Sequence, residues 1–149
     1  KLAFAHDHKV LIEKAIVGIE VECAVLGNQN PEASVLGEIT PGNEFYDYEA
    51  KYEDAGSELH IPARISQELS YRIRDIAVNA FKELDCSGLA RVDFFVTSAQ
   101  EVYLNELNTM PGFTSISMYP KLWQATGMSY SALLDRLIQL AMERAESNG

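Results

Sequence analysis

The chain has 149 residues, with 12 basic and 22 acidic side chains and a formal charge of −10. A surplus of that sign excludes a protein that grips nucleic acid in a basic groove, which must neutralise phosphates; a nucleotide site, needing only a few local cations and backbone amides, is compatible with it. The hydrophobic fraction of 47% and the charged fraction of 23% fit one soluble globular domain with a real core, and no apolar run approaches the roughly 18 residues of a membrane helix.

Residues 1–7 have no apolar signal core and no initiating Met, so a piece of a longer chain is expected. Residues 10–16 are apolar and β-branched and predict a strand; residues 18–26 alternate and predict a second. Gly27-Asn28-Gln29-Asn30-Pro31 reads as a turn, with residues 34–40 as the returning strand. Between residues 41 and 62 the pattern stops. The stretch is long for a loop inside a compact domain and holds Phe45, Tyr46, Tyr48 and Tyr52, which predicts a functional flap.

Ser66 is placed to cap a helix running to about Leu84, with Leu69, Ile73, Ile76, Ala77, Ala80, Phe81 and Leu84 on its apolar face. Strands over residues 89–97 and 101–107 follow, then a Gly/Pro-containing loop over 108–115 and a helix start near Pro120, with Ser117 as its cap. Ser129 caps a last helix to about Glu146, with Leu133, Leu134, Leu137, Ile138 and Ala141 inward. This order predicts an α+β fold, a mainly antiparallel sheet covered by helices on one face. Cys23 and Cys86 form no CxxC pair and read as small core residues of a reducing compartment such as the cytoplasm, with a single disulfide as the alternative.

The chemistry concentrates in the hairpin. Strand side chains alternate between faces, so Arg91 and Asp93 share one face of the first strand, and Glu106 and Asn108 share one face of the second. Pairing Asp93 with Glu106 would bring all four to one patch; a one-residue slip would send Glu106 to the other face. Two carboxylates and an amide oxygen are hard donors that suit Mg²⁺ beside phosphate oxygens. A solvated strand face with Arg91 pairing Asp93 accounts for the same residues, and spacing alone does not choose.

In the loop that follows, Gly112 permits backbone N–H groups to face a ligand, and Thr114, Ser115 and Ser117 offer hydroxyls ahead of a helix N-terminus; taken alone, the loop reads more readily as a plain strand-to-helix connection. In the flap, Lys51 could place a point charge on a phosphate, and the tyrosines could exclude water; a surface loop pinned by its rings accounts for the same composition.

Taken together, Phe45-Tyr46-Asp47-Tyr48-Glu49-Ala50-Lys51-Tyr52, Ala90-Arg91-Val92-Asp93 and the run from Asn105 through Glu106, Asn108, Pro111 and Gly112 to Ser115 resemble the D-alanine–D-alanine ligase family of the ATP-grasp class. Val10-Leu11-Ile12-Glu13-Lys14 with Gly18-Ile19-Glu20 resembles that family's stretch along the adenine pocket. The resemblance spans nearly the whole chain in order.

The resemblance implies that residues 1–149 are the C-terminal half of an ATP-grasp fold, acting with an N-terminal half of the same chain, in a homodimer. It implies ATP and two Mg²⁺ ions as cofactors, with Mn²⁺ as an alternative. Glu13, Ala15 and Ile16 would border the adenine, Glu20 would hold the ribose, and Asn105 would count with the nucleotide-binding residues. Lys51 would contact the terminal phosphate and Tyr52 would close over the substrates. Asp93, Glu106 and Asn108 would hold the metals. Arg91 and the Gly112 amide would stabilise an oxyanion, and Ser117 with the Met118 amide would bind the carboxylate of the second D-alanine.

The implied reaction joins two D-alanines through an acylphosphate, for peptidoglycan precursors. Two positions depart from the family pattern: Ile116, where some members carry His, and Ala15, where others carry a large aromatic. A ligase joining D-alanine to D-serine or D-lactate is the nearest alternative; Tyr52 after Glu-Ala-Lys favours the D-alanine form over D-lactate and leaves D-serine more open. Another ATP-grasp carboxylate–amine ligase is the wider alternative. A non-catalytic metal or nucleotide module would need Asp93, Glu106 and Asn108 but not Lys51, Arg91 or Ser117. His6, His8 and His60 match no functional position and are expected at the surface.

Overall fold

A computed structural model of the chain describes residues 2–40 and 58–147. A short 3-10 turn, Ala3–Ala5, precedes the first strand. The strands are β1 (Ile19–Gly27), β2 (Glu32–Thr40), β3 (Glu58–His60), β4 (Gly88–Val96) and β5 (Val102–Asn108). The helices are α1 (Gln67–Glu83), α2 (Met118–Thr126) and α3 (Tyr130–Ser147). The five strands form one sheet in the order β3-β2-β1-β4-β5, every neighbouring pair antiparallel. Among the described residues, no helix is long and apolar enough to cross a membrane.

The α+β class and the antiparallel sheet are as expected; the helical cover differs. Alternate residues of β1 join two separate cores. Val21, Cys23 and Val25 pack with Leu69, Ile73, Ala77 and Phe81 of α1, whereas Ala24 and Leu26 pack with Tyr119, Leu122, Trp123, Leu133 and Leu140 of α2 and α3. Because strand side chains alternate, helices cover both faces of the sheet rather than one.

Two of the three expected serine caps form through their hydroxyls, and Ser117 makes no side-chain cap. The Leu69 amide donates to Ser66 Oγ at 3.2 Å, and the Ala132 amide to Ser129 Oγ at 3.2 Å. Two apolar faces need correction. Leu84 lies beyond the end of α1 and is exposed. On α3, Leu133 and Leu140 are buried and Leu137 packs beside them, while Leu134, Ile138 and Ala141 face outward. That helix is apolar on more than one stripe, so periodicity could not say which stripe the sheet would take.

Residues 10–16 form no strand: Leu11 is 82% exposed and Ile12 89%. A strand is stabilised by pairing, and among the described residues nothing pairs with this one. Within the expected flap over 41–62, residues 58–60 form β3, pairing Glu38 with His60; the rest up to residue 57 lies outside the described residues. His60 is half-buried, 3.5 Å from Glu58, rather than fully at the surface. Both cysteines are free thiols, Cys23 buried and Cys86 partly so.

Candidate active site

Three adjacent strands build one polar face. β1 sets Glu22 opposite Asp93 of β4, and β4 sets Asp93 opposite Glu106 of β5 and Arg91 opposite Asn108. The expected register of the hairpin is therefore the observed one. It is reached with a bulge: Asp93 pairs with Glu106 but Phe94 with Leu104, leaving Asn105 as the extra residue of β5. Gly18 lets the chain enter β1 beside the end of β4, since a Cβ there would lie 2.5 Å from the Val96 carbonyl oxygen.

Arg91 is the hub. Its Nε donates to Asp93 Oδ1 at 2.8 Å and one Nη to Asp93 Oδ2 at 2.7 Å, a bidentate pair. The same Nε lies 3.3 Å from Glu22 Oε1. Arg91 is 8% exposed, Glu22 and Asp93 1% each. Burial works against the guanidinium's charge, yet the hydrogen bond to Asp93 and the fields of Glu22, Asp93 and Glu106 raise its pKa above the ordinary value. The site thus holds a permanent cation among several anions.

Carboxylate oxygens of Glu20, Glu22 and Asp93 lie within 4.8 Å of one another. With Glu106 across from Asp93, acidic groups outnumber the one guanidinium. Like charges gathered in a partly desolvated patch favour a bound cation, and carboxylate oxygens are the donors a hard divalent ion takes. The residues present fit such an ion. Glu22 was not expected here, although its spacing from Glu20 on an alternating strand is the signal that could have found it. Glu106 and Asn105 are exposed, and Asn108 is half-buried with its Oδ1 accepting the Met110 amide at 3.1 Å.

The loop after β5 is ordered by its own groups. Ser117 Oγ accepts the Thr114 amide at 3.0 Å and lies 2.9 Å from Thr114 Oγ1. A Cβ on Gly112 would come 2.9 Å from that Oγ, so glycine lets the backbone pass against Ser117. Ser117 begins α2 but spends its hydroxyl on Thr114 rather than on the helix amides. The Met118 side chain is buried in the core. Behind the loop, Phe113 packs 5.7 Å from both Tyr119 and Tyr130, and Tyr130 Oη donates to the Phe113 carbonyl at 3.2 Å. This aromatic brace was not legible as a pattern.

Glu13 and Ala15 are exposed and Ile16 half-buried on the irregular segment before β1. Lys51 and Tyr52 lie outside the described residues.

The family profile described as "D-ala D-ala ligase C-terminus" matches residues 1–139. The chain is 60% identical over 147 residues to a D-alanine–D-alanine ligase of Acetivibrio thermocellus, covering 98% of this chain and 39% of that protein. Among solved structures, it resembles the D-alanine–D-alanine ligase of Coxiella burnetii with a TM-score of 0.80 at 46% identity, covering 91% of this chain and 35% of that one. It also resembles the Bacillus anthracis D-alanine–D-alanine ligase complexed with ATP, with a TM-score of 0.74 at 34% identity, over 92% and 44%. The chain spans about two fifths of the length of the curated relatives it matches. With the profile covering nearly all its residues, the chain belongs to the D-alanine–D-alanine ligase family and corresponds to that family's C-terminal region.

Proposed function

We propose that this chain is the metal- and oxyanion-binding part of an ATP-dependent ligase that joins two D-alanines in the cytoplasm for peptidoglycan precursors. The observation that carries the reading is Arg91, held bidentately by Asp93 across from Glu106 and ahead of the Gly112–Ser117 loop. A preceding segment of the same protein would supply the other wall of the nucleotide cleft and the first D-alanine site, and a homodimer is the expected assembly.

Asp93, Glu106 and Asn108 would hold two Mg²⁺ ions, or Mn²⁺ in their place. Such ions neutralise phosphate charge and orient the transferring group. Glu13, Ala15, Ile16, Glu20 and Asn105 would serve the nucleoside, and Lys51 the terminal phosphate. The carboxylate of the first D-alanine attacks that phosphate, forming an acylphosphate and releasing ADP. The amine of the second D-alanine then attacks the acyl carbon; inorganic phosphate leaves and the nitrogen loses a proton.

Charge develops on the acyl oxygen in that second step. Arg91 is always cationic here, and its guanidinium with the Gly112 N–H is suited to receive it. Ser117 and the Met118 amide, at the start of α2, would take the carboxylate of the second D-alanine. Tyr52 would close over the labile intermediate and exclude water.

The test is phosphate release from ATP by the full-length protein with Mg²⁺ and D-alanine, with products weighed by mass spectrometry. D-Alanyl-D-alanine from D-alanine alone is the expected result. Turnover only when D-serine or D-lactate is added would move the protein to a variant ligase. No release in any mixture would sink the ligase reading.

A further inference from the structure

We infer that Glu22 is a positioning residue that holds Arg91 in place for the reaction, a role that rests on the ligase reading above. Glu22 sits at the middle of β1, flanked on one side by Asp93 and on the other by Gly37 of β2. Gly37 leaves no side chain there, and α2 closes over it: a Cβ at Gly37 would meet Leu122 Cδ2 at 2.9 Å and Met118 Sδ at 3.0 Å. Glu22 is thus walled beneath the first turns of α2, 1% exposed, with the Arg91 Nε 3.3 Å from its Oε1.

A carboxylate buried this deeply is costly unless it serves a cation. Asp93 already binds the guanidinium through two hydrogen bonds, so a second buried anion on the same Nε is not needed to anchor it. The difference between the two anions is their other duty. Asp93 is the carboxylate that also faces Glu106 across the hairpin, so a cation held between β4 and β5 would draw on Asp93, whereas Glu22 Oε1 already lies 3.3 Å from the Arg91 Nε. Glu22 approaches from the opposite neighbouring strand, on the side away from β5. As Asp93 turns part of its charge to a cation, Glu22 keeps the guanidinium balanced and fixed in direction. Catalytic geometry is sensitive on this scale, since a displacement of about 1 Å can cost on the order of a hundredfold in rate.

The test uses full-length protein with ¹⁵N-labelled arginine, as wild type, Glu22→Gln and Glu22→Asp. Two readouts are taken: the Nε–H resonance of Arg91, assigned with Arg91→Lys, and steady-state kinetics. Glu22→Gln keeps the shape and removes the charge. It should shift the Arg91 resonance or broaden it through solvent exchange, and lower kcat roughly ten- to a hundredfold with the KM for ATP within about twofold. Glu22→Asp should restore part of both.

A merely structural role would lower thermal stability and active fraction together, with the resonance of the folded molecules unmoved. That result, or a wild-type resonance and kcat in Glu22→Gln, overturns the inference. If Glu22→Gln does not fold, Glu22→Asp carries the same comparison, with the shift in the resonance deciding. A wild type without ligation activity would overturn the ligase reading instead, and the Arg91 resonance would still decide whether Glu22 orders it.

Discussion

Ser34 places its hydroxyl oxygen 3.0 Å from the backbone nitrogen of Ala24, accepting a hydrogen bond where β1 and β2 fall out of register. Cys23 pairs with Leu36 but Val25 with Ala33, so β2 carries one residue more than β1 across this interval. The ladder cannot satisfy the Ala24 amide there, and the fully buried Ser34 does so instead. Ser34→Ala would strand a buried donor, at a cost of about 1–3 kcal/mol. Urea unfolding should show a lower midpoint with an unchanged m-value; an unchanged midpoint would mean that water or a backbone shift replaces the hydroxyl.

Asp93 and Glu106 face each other but differ in burial, and so should their neutral variants. Both Asp93→Asn and Glu106→Gln should lower Mg²⁺-dependent turnover of the full-length protein by orders of magnitude. Only Asp93→Asn leaves the buried Arg91 short of a counter-ion, and breaking a buried pair costs roughly 3–5 kcal/mol. Glu106 is exposed, so its variant should stay within about 0.5 kcal/mol of wild type. Full turnover by Glu106→Gln would remove it from the metal set.

Glu38 and Arg64 tie β2 to the segment before α1. Arg64 donates its backbone amide and Nε to Glu38 Oε2 at 2.9 and 3.2 Å, and an Nη to Oε1 at 2.6 Å. These hydrogen bonds hold the Glu38 carboxyl below its ordinary value of 4.5. A carboxyl lowered on folding stabilises the protein above its unfolded pKa, and that share is lost as pH falls through the folded value. Arg64→Gln should therefore lower Tm at pH 7, and the gap to wild type should close once the pH is well below 4.5. A gap that persists in strong acid would assign the effect to packing of the arginine stem.

Burial pushes the Cys23 thiol up to about 12, and it also raises Cys86. Thiolate is the reactive form, so Cys23 should resist a disulfide reagent at pH 8 until the chain unfolds, with Cys86 reacting slowly beforehand. Mass mapping of the labelled peptides would show it. Prompt labelling of Cys23 in folded protein would mean that the sheet opens locally.

The hairpin register was readable because Arg91, Asp93, Glu106 and Asn108 recur at strand spacing and only one pairing gathers them. Ser66 and Ser129 were readable because a hydroxyl before an apolar run has a local job. The misreadings share a different cause. Residues 10–16 carry strand chemistry without a partner among the described residues, and pairing decides strands. In α3, Leu134 and Ile138 match Leu133 and Leu137 in chemistry, so the tertiary contact chose between them. β3 is three residues long and exists through its ladder to β2, which no composition announces. Glu22 was passed over because a glutamate on a strand ordinarily faces water.

The order of strands also sets how firmly each acidic group is held. Glu22 and Asp93 stand on strands paired along both sides, while Glu106 and Asn108 stand on β5, an edge of the sheet as described. Amide exchange should accordingly slow toward β1 and quicken across β5. A cation held between β4 and β5 would meet an unyielding anchor on one side and a compliant one on the other. Such a jaw can follow a changing charge on one side without loosening the other.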